Sequence, residues 1–224
     1  LLLSILSFSF LIPLVSPQQP GFPHIEAVKT VFPTKINEDE LVTVKITLRG
    51  AGGYILTPVD VVLIFDRSGS MSGKKIIDAQ NAAIAFLNFV DEKDRVALVS
   101  YSHTISTGEL TYMTSSNKEK LINEIKSLKA SGRTDIYNAI TAAIQILSAH
   151  PRENAPLIAI LLTDGLHNWP TPLPDSEFIV LAEQAKNRDI MIYTIGLGRD
   201  VNEPLLKKIA SITNGRYYFA PTSN

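Results

Sequence analysis

Short apolar runs alternating with helix-period segments, from residue 59 onward, constrain this chain more than any other feature. Residues 59–65 are almost continuously apolar, as a strand covered on both faces requires. Residues 73–91 then carry Ile76, Ala79, Ala83, Phe86 and Val90 at helical spacing along one face. The same alternation recurs downstream. Residues 95–101, 157–162, 190–195 and 216–219 read as strands, with 104–110 as a short edge strand. Between them, helices are expected over 116–129, opened by the capping box Ser116-Asn117-Lys118-Glu119, and over 134–149, 176–188 and 203–211. Such alternation predicts an α/β fold of the three-layer, doubly wound kind: a mostly parallel sheet with helices on both faces. The aromatic residues Phe86, Phe89, Tyr193, Tyr217 and Tyr218 fall on helix or strand faces and read as core.

Composition removes several function classes. Lys plus Arg total 21 against 22 Asp plus Glu, a formal charge of -1, which argues against a nucleic-acid binder. With no cysteine, there is no disulfide framework, thiolate catalysis or Cys-ligated metal. The histidines, His24, His103, His150 and His167, lack the spacing of a helical zinc motif.

Residues 1–15 are uncharged and apolar, too short for the roughly 20 residues that span a bilayer comfortably. They fit the apolar core of a secretory signal, with an uncleaved anchor or a buried helix as alternatives. The expected organisation is therefore a signal or anchor segment at 1–20, a β-strand extension at 21–57 and the α/β domain at 58–224. Within the extension, 25–32 and 41–48 alternate as half-buried strands, and Arg49-Gly50-Ala51-Gly52-Gly53 reads as a flexible hinge. The extension is either a simple β addition or the opening strands of an Ig-like sandwich. At the other end, Thr222-Ser223-Asn224 reads as the entry to a further helix, so the chain is expected to be a piece of a longer one.

In a doubly wound sheet, ligands bind beyond the carboxyl ends of the central strands. The loops there hold the chemistry. After residue 65 comes Asp66-Arg67-Ser68-Gly69-Ser70-Met71, one carboxylate and two hydroxyls at alternate positions. Ser131-Gly132-Arg133-Thr134-Asp135 delivers a Thr hydroxyl at a helix start, and Thr163-Asp164-Gly165 a second carboxylate at a strand end. Singly, each is a common turn or cap. Together, Asp66, Ser68, Ser70, Thr134 and Asp164 form an all-oxygen set of two carboxylates and three hydroxyls, suited to Mg²⁺ or Mn²⁺ and poor for soft metals.

At these residues the sequence resembles the von Willebrand factor type A family, also called the integrin I-domain fold, from about residue 58 to 220. Asp66-x-Ser68-x-Ser70 matches that family's metal-ion-dependent adhesion site, and Thr134 and Asp164 fall where its second and third loops supply ligands. The resemblance implies a six-stranded, mostly parallel sheet with one antiparallel edge strand. It also implies one Mg²⁺ (Mn²⁺ and Ca²⁺ being alternatives), ligated directly by Ser68 and Ser70 and partly through water by the carboxylates. Thr134 is then the ligand whose engagement changes between affinity states. Arg133, where a small residue is common, departs from the family pattern, and the family's closing helix lies outside the chain.

Around the expected site, Arg67 and Arg133 either add positive charge for an acidic partner or point into solvent. Trp169, in a proline-rich loop, is either a recognition anchor or a hydrophobic lid on the adjacent helix. His167 joins this candidate rim. The reading that follows is a non-enzymatic, cation-dependent, adhesion-type domain of an exported or cell-surface protein, whose protein partner presents an Asp or Glu carboxylate. A membrane would be met only through the N-terminal segment. The alternatives are an assembly subunit of a surface complex and a metal-assisted phosphohydrolase, the latter lacking a P-loop and an evident general base.

Overall fold

The computed structural model describes residues 24–32, 43–51 and 57–221. The expected signal segment, the glycines at 52 and 53 and the helix entry at 222–224 lie outside the described residues. The chain divides into two compact units, Leu1–Leu56 and Thr57–Asn224.

In the first unit, β1 (His24–Phe32) and β2 (Thr43–Ala51) form a two-stranded antiparallel sheet. Its register runs from His24↔Ala51 to Phe32↔Thr43. Arg49, Gly50 and Ala51 were expected in the hinge but belong to β2, because Glu26, Ile25 and His24 supply ladder partners opposite them. Pairing outweighs the glycine's weak strand preference.

The second unit is a mixed sheet between helices. Its elements run β3 (Asp60–Asp66), α1 (Lys74–Leu87), β4 (Arg95–Tyr101), β5 (Ile105–Thr107), β6 (Thr111–Tyr112), α2 (Ser115–Ser127) and α3 (Ile136–Ala149). Then follow β7 (Leu157–Thr163), α4 (Asp175–Lys186), β8 (Ile190–Leu197), α5 (Glu203–Ile212) and β9 (Tyr217–Ala220). The strand order is β5-β4-β3-β7-β8-β9, parallel throughout except for β5 at the edge. β6 also pairs with β4, antiparallel, making seven strands in all. The pairs Val99↔Thr107 and Val96↔Thr111 leave one extra residue on the outer strand. β5 and β6 are thus one edge strand broken by a bulge at Gly108, whose amide donates to the Leu98 carbonyl at 2.8 Å.

Period-2 alternation builds two cores. Val62 and Ile64 of β3, Ala97, Val99 and Tyr101 of β4, and Ala159 and Leu161 of β7 face one side, against α3, α4 and α5. Val61, Leu63 and Phe65 of β3, with Val96 and Leu98 of β4, face the other, against residues of α1 and α2. Each Val, Leu, Ile or Phe among them stabilises the fold by about 1.5–3 kcal/mol on leaving water. On β7 and β8 the second face is only half-buried, at Ile158, Ile160, Leu162 and Ile195. Of the aromatics read as core, Phe89 and Tyr218 are not: they are 88% and 50% exposed. Phe89 lies beyond the end of α1, off its apolar stripe, and Tyr218 lies on the edge strand β9.

Two helix starts differ from expectation. α2 opens at Thr114, whose hydroxyl accepts from the Asn117 amide at 3.3 Å, rather than at Ser116. α3 is capped by Asp135, which accepts from the Asn138 amide at 3.2 Å. Thr134 therefore stands one residue ahead of the cap, in the loop.

The chain grows outward from β3 through β4 to β5, then crosses back and grows the other way through β7, β8 and β9. β3 is the strand where that direction reverses. The crevice beyond the carboxyl ends of β3 and β7 is where a doubly wound sheet places its ligand.

Candidate metal centre

Asp66 ends β3 fully buried. One carboxylate oxygen accepts from the Ser68 amide at 2.8 Å, closing a tight turn. The other accepts from the hydroxyls of Thr163 at 2.8 Å and Tyr101 at 3.1 Å. The chain then makes one 3₁₀ turn over Gly69–Met71, pinned by the buried Met71. It enters α1 through Gly73, whose φ of 78° is the left-handed region that favours glycine. This turn sets Ser68 Oγ 3.0 Å from Ser70 Oγ, and Ser70 Oγ donates to Asp164 Oδ1 at 2.7 Å.

The second loop reaches the first through its backbone. The Gly69 amide donates to the Gly132 carbonyl at 2.9 Å, and the Ser131 amide to the Arg67 carbonyl at 2.8 Å. Gly132 has φ 79°, and a Cβ there would lie 1.9 Å from His103 Nδ1, so only glycine fits. Thr134, buried, is clamped to the third loop: its amide donates to Asn168 Oδ1 at 2.9 Å, and the Asn168 amide returns to its carbonyl at 3.0 Å.

The structure thus brings Ser68, Ser70 and Asp164 into one hydrogen-bonded chain beside Asp66, with Thr134 on a loop tied to both others. Sequence reasoning missed Thr163, Tyr101 and Asn168, which orient this set, and Lys75 in the first turn of α1. Lys75 Nζ lies 2.6 Å from Asp164 Oδ2. The apolar run around Tyr101 masks its hydroxyl, and Asn168, in a loop, carries no periodic signal.

Electrostatically the centre is strained toward a cation. Burial, reinforced by the charge of Asp164, holds the Asp66 carboxyl above its usual range against the lowering hydrogen bonds from Ser68 and Thr163. Burial and the adjoining Asp66 likewise push the Tyr101 phenol well above its own. Among the described residues no Lys or Arg pairs with Asp66.

The expected rim is rearranged. Arg67 does not stand free beside the site: its guanidinium donates to Ser102 Oγ at 3.0 Å and to Thr104 Oγ1 at 2.9 Å, bracing the loop after β4. His167 is not on the rim, because its side chain is 5% exposed, packed edge-on to Phe178 and 3.9 Å from Asp135. Burial lowers its pKa from the usual histidine value, against the raising charge of Asp135. Trp169 is half-buried, with the Arg133 guanidinium 5.5 Å over its ring and His103 edge-on at 6.1 Å. Arg133, Trp169 and His103 thus form a small cation–aromatic cluster next to Thr134.

Residues 60–224 match the family described as the von Willebrand factor type A domain. The chain belongs to that family. Mouse inter-alpha-trypsin inhibitor heavy chain 4 is 32% identical over 166 residues, 70% of this chain but 17% of that one. The chain therefore spans under a fifth of that relative's length. Among solved structures, the open conformation of the pilus adhesin SpaC from Lactobacillus rhamnosus GG superposes with a TM-score of 0.70. It shares 17% identity and covers 88% of this chain and 32% of that one. Proximal thread matrix protein 1 from the mussel byssus, with a zinc-occupied MIDAS motif, has a TM-score of 0.60 and 21% identity. The match covers 75% of this chain and 44% of that one.

The donors fit a hard dication. The set holds two carboxylates, Asp66 and Asp164, and three hydroxyls, and among the described residues no group of three or more His, Cys, Asp or Glu could hold a metal. A buried carboxylate without a basic partner and two hydroxyls in mutual contact are what such an ion would satisfy. No described helix is long and apolar enough to cross a membrane.

Proposed function

We propose that this domain is a non-enzymatic, divalent-cation-dependent protein-binding module of an exported or surface protein. Asp66, Ser68, Ser70, Thr134 and Asp164 hold Mg²⁺, with Mn²⁺ and Ca²⁺ as alternatives. The observation that carries this reading is Asp66: a buried carboxylate with amide and hydroxyl donors and no cationic partner among the described residues, adjoining the Ser68–Ser70–Asp164 chain.

When bound, the ion supplies a Lewis-acidic corner that an Asp or Glu carboxylate of a protein partner can occupy. The chain's own residues do the rest. Thr163 and Tyr101 fix one oxygen of Asp66, the Ser68 amide fixes the other, and the 3₁₀ turn presents both serine hydroxyls on one side. The Thr134–Asn168 clamp couples the second loop to the third, so a shift of Thr134 on engaging the ion is felt beside Trp169. Adhesion-type relatives such as the pilus protein support a binding role. The N-terminal apolar segment supports export, and β1 and β2 support a β extension ahead of the domain.

Calorimetric titration of the full chain with Mg²⁺ tests the reading. One site is expected in wild type, and none in Asp66→Asn or Asp164→Ala at the same concentrations. A wild type that takes up no dication, or variants that bind as well as it does, would overturn the proposal.

A further inference from the structure

The first turn of α1 carries two adjacent lysines with opposite fates. Lys74 turns along the helix to Asp78 at 2.9 Å, both side chains more than half exposed. Lys75 turns inward, 30% exposed, and its ammonium meets Asp164, whose side chain has no exposure, at 2.6 Å. Ser70 holds the other oxygen of the same carboxylate. Asp164 is thus engaged on one side by a candidate ligand hydroxyl and on the other by a positive charge tethered to the domain.

We propose that Lys75 is a built-in competitor of the dication that also biases the loaded site toward anions. This rests on the metal reading of the same centre. With Asp66 and Asp164 ionised and Lys75 charged, the centre carries one net negative charge before loading and one net positive charge after it. Without Lys75, a dication would leave the centre neutral, and an arriving carboxylate would make it negative. The ammonium therefore opposes cation entry by direct repulsion, in a part-buried place where solvent screens it less than on the open surface. The same charge favours the carboxylate that follows. Lys75 is a positioning and charge-setting residue, not a ligand: it lowers affinity for the ion and raises the loaded domain's affinity for an acid group.

A merely structural lysine predicts the reverse sign, since losing it would loosen Asp164 and weaken the site. The test is a pair of calorimetric titrations on the full chain, with wild type, Lys75→Gln, Lys75→Met and Lys75→Arg. In Lys75→Gln the Mg²⁺ dissociation constant should fall by on the order of tenfold. Acetate binding to the Mg²⁺-loaded protein should weaken several-fold relative to wild type. Lys75→Arg should restore both. Lys75→Met, which keeps an unbranched side chain of similar reach, should repeat the glutamine result and covers a glutamine variant that fails to fold. Mg²⁺ affinity unchanged or weaker in both neutral variants overturns the role of Lys75 while leaving the metal centre standing. Absence of Mg²⁺ binding in all four proteins overturns the metal reading itself.

Discussion

Strand β3 begins and ends with a buried aspartate, and the two ends have opposite electrostatic fates. At the lower end Asp60 receives the Arg95 guanidinium on both oxygens, at 2.9 and 2.6 Å, and Arg152 at 2.6 Å. Burial raises its pKa, but those hydrogen bonds and charges outweigh it and hold the carboxyl below the usual range. At the upper end Asp66 accepts from neutral amide and hydroxyl donors, and burial raises its pKa. Same residue, same strand, both without exposure: one acid is closed by two arginines, and the other has no Lys or Arg partner among the described residues. Asp164 stands between the two, buried like them but paired with the single ammonium of Lys75.

The largest effect should come from breaking the closed end. Asp60→Asn leaves two partly buried arginines without their anion, a loss of about 3–5 kcal/mol by comparison with other broken buried pairs. Chemical denaturation in EDTA reads it directly. Asp66→Asn in the same buffer should stay within about 1 kcal/mol of wild type, because it removes an unpaired buried charge and the Thr163 and Tyr101 hydroxyls can rotate to suit an amide. Equal losses at both ends would erase the distinction.

The same contrast should appear in the acid profile of the metal-free protein. Asp66, with its pKa raised in the folded state, contributes stability that is full below the unfolded carboxylate value of about 4 and is lost as pH rises through its raised folded value. Asp60, with its pKa lowered, contributes stability that is full above about 4 and is lost as pH falls through its own folded value. Melting temperature in EDTA should therefore rise as pH falls through the raised folded value of Asp66 toward about 4, and fall again in stronger acid. Asp66→Asn should remove the rise and keep the fall. Identical acid profiles for wild type and Asp66→Asn would contradict the raised pKa of Asp66.

The contrast also explains what the sequence made legible. The upper end is written locally: Asp66, Ser68 and Ser70 lie within one turn, and Thr134 and Asp164 follow at loops that the strand–helix alternation locates. Strands with both faces covered announce themselves as apolar runs, so the sheet could be read as well. The lower end is invisible to such reading, because Arg95 and Arg152 stand 35 and 92 residues from Asp60. The edge strand at 104–110 was legible, but its bulge at Gly108 and the continuation of β2 through Gly50 were not, because they depend on a partner strand and not on local preference. Side-chain direction on loops obeys no period, which is why His167 turned inward and Arg67 was tied down although both were expected at the rim.

The smallest effect belongs to the rim, where neither kind of buried charge applies. Arg133 is exposed and lies over the half-buried Trp169 ring at 5.5 Å, a contact worth about 0.5–1 kcal/mol at such sites. Arg133→Ala should therefore cost no more than that in denaturation. It should leave Mg²⁺ affinity close to wild type, because the backbone clamp between Thr134 and Asn168 does not use the guanidinium. What it should change is capture of an acidic partner by the loaded domain, since the cluster of Arg133, Trp169 and His103 sits beside the loop that carries Thr134. If Arg133→Ala instead abolished Mg²⁺ binding, the rim and the ion centre would be one cooperative unit. The division between a sealed end, an open end and a merely decorated edge would then have to be redrawn around the second loop.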